Sequence, residues 1–115
     1  MPKIMTISDF LNNGGRNTWV GAPGIQVYVR RRPRWIEGAA MSALDIANVS
    51  VVPRLQHKGV FTRWYEDACV AAQEQGLDIV YMENVFNPIL DTFCTKRGFT
   101  FIGGGYCNNY YRRLK

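Results

Sequence analysis

Apolar residues along this chain recur at two spacings, one typical of strands and one typical of helices. Over 25–31, Ile25, Val27 and Val29 alternate with more polar neighbours, which predicts a half-buried strand. Over 60–75, apolar side chains recur three and four residues apart and Gly76 follows as a stop signal, which predicts an amphipathic helix. The chain therefore mixes both kinds of element.

Periodicity, capping residues and breakers also predict the remaining elements. They are a helix over 6–11 capped by Thr6 or Ser8, a loop over 12–24, a short antiparallel return over 35–38, a central strand over 44–52, a buried strand over 77–82, a helix over 88–96, and strands over 99–102 and 107–112 joined through three glycines. This order predicts a single α/β (α+β) domain over 1–115, with a mixed sheet and helices packed on it.

One segment of this pattern has the features of a ligand-binding site. The apolar run 48–52 stops at Pro53, and a helix is predicted from Val60. The first turn of a helix leaves N–H groups without intrahelical partners and carries the positive end of the helix dipole. Gly59 lets a ligand approach the backbone closely, and Lys58 adds a mobile cation. The segment therefore predicts an anion-binding turn suited to phosphate.

Composition narrows the class of protein. With 115 residues, of which 47% are hydrophobic, the chain has enough apolar material for one core. No apolar run reaches the about 18 residues of a membrane span, and 1–24 lacks the apolar stretch of a signal peptide, so a cytoplasmic protein is expected. Cys69, Cys94 and Cys107 lack metal-ligand spacing, which favours reduced thiols and no metal site. The net charge of +5 favours an anionic partner, either a phosphorylated cofactor or nucleic acid.

Two motifs flank the predicted helix and strand in the middle of the chain. In the run 51–59, Gln56 and Gly59 fit the pattern Gln or Arg, two residues, Gly, one residue, Gly or Ala, whereas Phe61 departs from its last position. Downstream, 87–99 begins with Asn-Pro and closes on Lys-Arg-Gly-Phe. Together the motifs resemble the cofactor loop and second helix of the GNAT superfamily of N-acyltransferases. The resemblance covers 45–99, and the part before it is much shorter than in typical members.

The resemblance implies a mostly antiparallel sheet whose central parallel strands splay apart near Val52 and Met82, with acetyl-coenzyme A (acetyl-CoA) wedged between them. It also implies that backbone N–H groups receive the pyrophosphate of the cofactor. The residues expected to bind the cofactor are Val51, Val52, Gln56, His57, Lys58, Gly59, Val60, Phe61, Thr62 and Asn87. The ring of Phe61 is expected to turn into the core, since large aromatic side chains are usually buried.

The resemblance further implies direct transfer of an acetyl group to an amine within a ternary complex. Asp45 falls where some members carry a glutamate general base, and Glu83 and Glu37 are competing carboxylates. A buried strand-end carboxylate with a structural role is an equal alternative for Asp45. The amide of Val52 is the expected oxyanion donor.

The proton donor for the departing thiolate is a point of departure from the family. Cys94 stands where the pattern usually has a tyrosine. A thiol with an ordinary pKa near 8.5 can donate that proton, but a small buried cysteine is the slightly favoured alternative. Tyr106, Tyr110 or Tyr111 could supply a hydroxyl instead.

Arginine clusters at 30–34 and 112–113 do not identify the amine acceptor. Solvated faces and edge protection are the commoner role of such residues. Alternatively, they face an acidic protein surface or nucleic acid, although no motif demands nucleic acid. The second hypothesis is therefore a non-catalytic binding module whose basic face engages nucleic acid or a protein. A homodimer would restore the acceptor wall that the short amino-terminal part leaves out.

Overall fold

The computed structural model describes residues 4–56, 58–83, 85, 88–104 and 107–114. His57, Asn87 and Tyr106, all predicted site residues, lie outside the described residues. The elements, in chain order, are α1 (Ile7–Asn12), β1 (Asn17–Ala22), β2 (Ile25–Ile36), β3 (Ala39–Val51), a 3-10 turn (Pro53–Leu55), α2 (Val60–Glu74), β4 (Ile79–Met82), α3 (Pro88–Lys96), β5 (Thr100–Gly104) and β6 (Cys107–Arg113).

The six strands form one mixed sheet in the order β1-β2-β3-β4-β6-β5. The central pair, β3 and β4, is parallel, and the other neighbours are antiparallel. The predicted fold class, a mostly antiparallel sheet with a central parallel pair, is confirmed. Within the described residues, no helix combines the length and hydropathy needed to cross a bilayer.

Two predicted elements at the start of the chain are wrong. The predicted loop over 12–24 contains β1, because Thr18, Trp19 and Val20 are good strand formers between flanking glycines. Gly21 belongs to this strand for a steric reason, since a Cβ there would lie 2.3 Å from the carbonyl oxygen of Ile25. Glycine, read from the sequence as a breaker, here permits a close pairing.

The predicted return over 35–38 is also wrong. β2 continues through Pro33 to Ile36 and turns at Glu37 and Gly38, both with positive φ, into β3. The pairing of β1 with β2 ends at Asn17, opposite Arg30. Pro33 lies beyond this point, where β2 is an edge strand, and proline is tolerated at such a position.

The main core lies on the face of the sheet that carries the helices. It joins buried residues of α1 and α2, such as Phe10 and Tyr65, to Val27, Leu44 and Val80 of the sheet. A smaller cluster lies on the opposite face, made of Ile36, Ala43, Ile79, Tyr81 and Tyr111. The strand periodicity of two places these two sets on opposite faces.

The parallel pair opens into a fork. β3 and β4 pair only from Ala43 to Ile46, and the N–H of Glu83 then donates to the carbonyl oxygen of Ile46 at 3.3 Å. Beyond this point β3 stays paired with β2 as far as Val51, whereas the N–H of Val85 donates to Asn108 of β6 at 2.7 Å. The two strands therefore follow different neighbours, and a space opens between them.

Candidate cofactor site at the strand fork

A cleft of about 250 Å³ lies where β3 leaves β4. It is enclosed by the end of β3, the turn after it, the start of α2 and the first half of α3. Its lining residues are Val49, Val51, Leu55, Gln56, Gly59, Val60, Phe61, Thr62, Ile89, Leu90 and Phe93. Six of the ten predicted cofactor residues are in this set, and the lining is mainly apolar.

The amino terminus of α2 forms one side of the cleft. Gly59 is the N-cap, with φ of 76°, and in the described part of the chain no side chain caps this helix end. Unlike α1, which has a complete capping box at Thr6 and Asp9, α2 has no acidic residue in its first turn. The first N–H groups of α2 therefore keep their partial positive charge, which suits an anion.

The edge of β3 supplies backbone groups to the fork, but not at the predicted residue. The N–H of Val52 donates to the carbonyl oxygen of Gly24 at 3.0 Å, on the β2 side. Successive backbone groups of a strand point to opposite edges, so those of Val51 face the fork. The side-chain amide of Gln56 donates to the carbonyl oxygen of Val51 at 3.1 Å. The prediction of Val52 as the oxyanion donor is thus corrected, and Val51 has the required orientation.

Phe61 is accommodated by aromatic packing. Its half-buried ring lies 5.0 Å from that of Phe93 on α3 and 6.0 Å from that of Trp64 on α2, measured between centroids. These distances are typical of favourable aromatic pairs. The ring lines the cleft and joins α2 to α3, as the predicted inward orientation requires.

Asp45 lies away from the cleft, on the opposite face of the sheet. Its side chain is 0% exposed, with Oδ2 2.6 Å from Nη2 of Arg34 and Oδ1 3.3 Å from Nε. Burial raises the pKa of the Asp45 carboxyl, and the hydrogen bond and charge of Arg34 oppose that shift. A carboxylate occupied at both oxygens and closed to solvent is arranged as an ion-pair partner, so the geometry does not support Asp45 as the general base.

Of the two competing carboxylates, Glu83 is the one at the fork. Its Oε1 lies 2.6 Å from Nη1 of Arg30, and its Oε2 lies 3.2 Å from Nη2 of Arg34. Glu37 lies on the β2–β3 turn, where it accepts a hydrogen bond from Tyr111 at 3.2 Å and pairs with Arg113. Glu83 shares Arg34 with Asp45, so its carboxylate lies on the same face of the sheet, but its side chain keeps 16% exposure and its N–H ends the β3–β4 ladder.

Cys94 packs in the core between α3 and β4. Its Sγ lies 3.4 Å from Sδ of Met82, and the side chain is fully buried. Burial, followed by the charge of Asp91, raises the pKa of the Cys94 thiol to about 12. A proton donor works best with a pKa near the working pH, so these surroundings do not support Cys94 as the acid.

The tyrosines of β6 are also engaged elsewhere. The hydroxyl of Tyr110 donates to the carboxylate of Asp91, and this bond is the main reason that its pKa is raised to about 12. The hydroxyl of Tyr111 donates to Glu37 on the far face of the sheet. Neither hydroxyl lines the cleft.

The arginine clusters are partly paired within the molecule. Arg30 and Arg34 hold Glu83 and Asp45, and Nη1 of Arg31 donates to the carbonyl oxygen of Leu11 at 3.1 Å. These contacts use charge that a basic face for acidic partners would need. Within the described residues, no group of His, Cys, Asp and Glu side chains could hold a metal ion.

Comparison with known proteins gives structural neighbours only. The chain matches no protein-family model and no curated protein sequence. Among solved structures it is similar to a GNAT-family acetyltransferase from Listeria monocytogenes, with a TM-score of 0.64, 15% identity, 78% of this chain and 57% of that chain covered. The chain has the GNAT acetyltransferase fold.

Two further structures with the GNAT fold carry the cofactor class expected from the sequence. PaiA N-acetyltransferase from Thermoplasma acidophilum, in complex with coenzyme A, matches with a TM-score of 0.67 and 13% identity over 90% of this chain and 65% of that chain. YncA from Salmonella typhimurium, with its cofactor acetyl-CoA, matches with a TM-score of 0.61 and 15% identity over 80% and 58%. The chain thus covers 57–65% of the length of these three structures.

Within the GNAT fold, sequence reasoning missed two parts of the site. The first is the α3 wall of the cleft, Ile89, Leu90 and Phe93, whose apolar spacing was the available signal. The second is the pairing of Arg34 with Asp45. A carboxylate in an apolar strand run needs a buried partner, and an arginine-rich neighbouring strand was the clue.

The buried thiol leads to a prediction about alkaline stability. Because the folded state holds the Cys94 proton up to about pH 12 and the unfolded chain releases it near pH 9.0, stability falls as pH rises above 9. The slope reaches at most about 1.4 kcal/mol per pH unit for one group. Urea unfolding between pH 8 and 11 should show a flatter decline for Cys94→Ala than for the unmodified chain. Parallel declines would contradict the burial assignment.

Proposed function

We propose that the chain binds acetyl-CoA in the fork cleft and transfers the acetyl group directly to an amine. The observation that carries the proposal is the uncapped amino terminus of α2, with Gly59 at its N-cap, beside the open edge of β3. A strand edge and a helix terminus in this arrangement suit an extended ligand that ends in phosphates. The GNAT fold, and the CoA and acetyl-CoA complexes of two neighbours, support the same ligand.

The pyrophosphate would lie against the N–H groups of 59–62. The hydroxyl of Thr62, in the first turn of α2, would donate to it, and Lys58 and Arg63 would supply positive charge. His57 would join this group as predicted. The glycine at position 59 leaves the approach to these N–H groups open, since no Cβ stands there.

The pantetheine arm would lie along the free edge of β3. The backbone groups of Val51 would pair with its amides, with the side chains of Leu90 and Phe93 forming the opposite wall. The amide of Gln56 would give up the carbonyl oxygen of Val51 to the ligand. Asn87 is proposed to contact the same arm.

In the reaction, the amine nitrogen attacks the thioester carbonyl carbon and the C–S bond then breaks. The N–H of Val51 is proposed as the oxyanion donor because it faces the fork. Glu83 is proposed in place of Asp45 as the group that accepts the amine proton, directly or through water. It stands where the strands separate, and its side chain, although paired with Arg30 and Arg34, is 16% exposed, whereas that of Asp45 is fully buried. The proton lost by the amine balances the one that the departing thiolate takes up.

A non-catalytic binding module is the second candidate. It is favoured by one observation: in the described part of the chain, the candidate acids and bases all have structural partners and none lines the cleft, which holds for Asp45, Glu83, Cys94, Tyr110 and Tyr111. The fold and the cofactor cleft would then be kept without turnover. The two candidates share acetyl-CoA binding and differ in thiol release.

The decisive experiment is a calorimetric titration of acetyl-CoA, followed by a thiol-release assay against peptides, polyamines and nucleic acids. If Glu83 is the base, Glu83→Gln should lower turnover by about 10²–10⁴-fold and leave acetyl-CoA affinity nearly unchanged. Glu74→Gln, at the exposed end of α2, is the matched control and should change neither.

Three outcomes separate the candidates. Turnover that depends on Glu83 supports the enzyme. Binding without thiol release for any acceptor supports the module. Absence of acetyl-CoA binding at millimolar concentration contradicts both.

A further inference from the structure

A second cleft, of about 390 Å³, lies beside the first, on the far side of Phe93. It is formed by the end of α3 and by β6. We call it the basic cleft, because three of its four lining residues, Lys96, Arg97 and Arg112, are cations and the fourth is Phe93. Phe93 belongs to both clefts, so they adjoin across a single ring.

Among the residues that the structure describes, Arg112 has no anionic partner in the basic cleft. Its Nη1 donates to the hydroxyl of Tyr65 at 2.9 Å. Burial raises the pKa of this hydroxyl and that of the neighbouring Cys69 thiol, so both groups are neutral at physiological pH. The neutral hydroxyl orients the guanidinium and leaves its charge uncompensated.

Arg97 and Lys96 are similarly underpaired. The guanidinium of Arg97 lies 4.9 Å from the ring centre of Phe93 and 6.0 Å from that of Tyr65, which fixes its orientation. Its ion pair with Glu66 is long, at 3.6 Å, and Glu66 is 61% exposed, so this pair is weak. In the described part of the chain Lys96 makes no ion pair.

The helix dipole explains only part of this arrangement. Lys96 and Arg97 lie at the carboxyl end of α3, where cations are favoured. Arg112 comes from β6 and has no such reason to converge on them. Three like charges around one opening repel each other, and an anion between them would remove that repulsion.

We propose that the basic cleft binds a phosphate group. Two arginines held by neutral and aromatic partners present the fork of N–H donors that matches phosphate oxygens, and a lysine adds a third donor. The phosphate has two sources of the same chemistry. One is the 3′-phosphate of CoA bound in the neighbouring cleft, which rests on the proposed function, and the other is a separate phosphate monoester.

The test uses Arg112→Gln and Lys96→Gln, with Arg113→Gln as the matched control. Arg113 is the next residue of β6, but it points to the other face of the sheet and pairs with Glu37. Lys96 is exposed, so its variant should fold even if the loss of the Arg112 bond to Tyr65 lowers stability. Calorimetry measures CoA and 3′-dephospho-CoA binding, and thermal unfolding compares inorganic phosphate with chloride at equal ionic strength.

If the cofactor supplies the phosphate, the unmodified chain should bind CoA about 10- to 100-fold more tightly than dephospho-CoA, as expected for charge-assisted hydrogen bonds. Arg112→Gln and Lys96→Gln should each reduce that preference, and Arg113→Gln should keep it. If a separate monoester is the ligand, phosphate should raise the melting temperature more than chloride, and the two variants should lose the difference.

The proposal is overturned if two results are found together. Phosphate raises the melting temperature no more than chloride does, and the preference for CoA over dephospho-CoA is either absent or the same in both variants as in the unmodified chain. The phosphate measurement needs no CoA. A chain that does not bind acetyl-CoA, but whose stabilisation by phosphate is lost in Arg112→Gln and Lys96→Gln, would therefore contradict the proposed function and keep the basic cleft.

Discussion

Gly59→Val is expected to abolish detectable acetyl-CoA binding, with a loss of at least about 100-fold in affinity. Gly59 has φ of 76°, in the left-handed region that a β-branched residue strongly disfavours. Nothing in the surrounding protein forbids a side chain, because the nearest heavy atom to an added Cβ is Nη1 of Arg63 at 3.8 Å. The effect on binding therefore comes from moving the first turn of α2 and from filling the approach to its N–H groups.

Gly76→Val is the matched control for this prediction. Gly76 follows the other end of α2, has φ of 73°, and has no heavy atom within 4 Å of an added Cβ. Both variants should lose about 1–2 kcal/mol of stability through the same backbone strain. Only Gly59→Val should lose acetyl-CoA affinity in calorimetry. Equal affinities in the two variants would remove the amino terminus of α2 from the site.

The elements that the sequence predicted best are those whose signals are local. The sequence predicts α2 over 60–75 and α3 over 88–96, and the helices are Val60–Glu74 and Pro88–Lys96. In both, apolar spacing and a terminal glycine act within a few turns of the chain. β1 was missed because its pairing partner, β2, rather than its own composition, allows Gly21 to lie in a strand.

The candidate site likewise has features that depend on local sequence and features that depend on strand pairing. Its location was predictable, since a strand, a turn and a helix terminus are consecutive in the chain. The orientation of individual groups was not, because the register between β2 and β3 shifts by one residue at Tyr28 and Val29. Beyond such a bulge, the edge to which each backbone group points changes by one position. That shift sends the N–H of Val52 to Gly24 and leaves Val51 at the fork.

The side chain of Arg34 ties the three central strands together. It lies on β2, contacts Asp45 on β3 at 2.6 Å and Glu83 beyond β4 at 3.2 Å, and stacks 4.2 Å from the ring centre of Tyr81. Removing one partner of a buried pair leaves an uncompensated charge, which is more damaging than removing both. The network therefore predicts that removing Arg34 alone lowers stability much more than removing Arg34 together with Asp45.

Arg34→Met should lower the free energy of unfolding by about 3–5 kcal/mol in urea denaturation at pH 7. In the double variant Arg34→Met/Asp45→Leu most of that stability should return, because the fully buried carboxylate is gone and Glu83 keeps its pair with Arg30. Arg113→Met, which removes a largely exposed pair with Glu37, is the control and should change stability by at most about 1 kcal/mol.

Lowering the pH gives an independent check on the role of Asp45. Without Arg34, burial and the charge of Glu83 raise the pKa of the Asp45 carboxyl further above its unfolded value, and only the charge of Arg32 opposes them. The folded state then binds a proton that the unfolded chain releases, so the instability of Arg34→Met is present at neutral pH and shrinks as pH falls. The stability gap between the original chain and Arg34→Met should thus narrow towards pH 5. A gap that is constant from pH 8 to pH 5, or a double variant no more stable than the single one, would show that Arg34 acts through packing on Tyr81 rather than through the buried charge of Asp45.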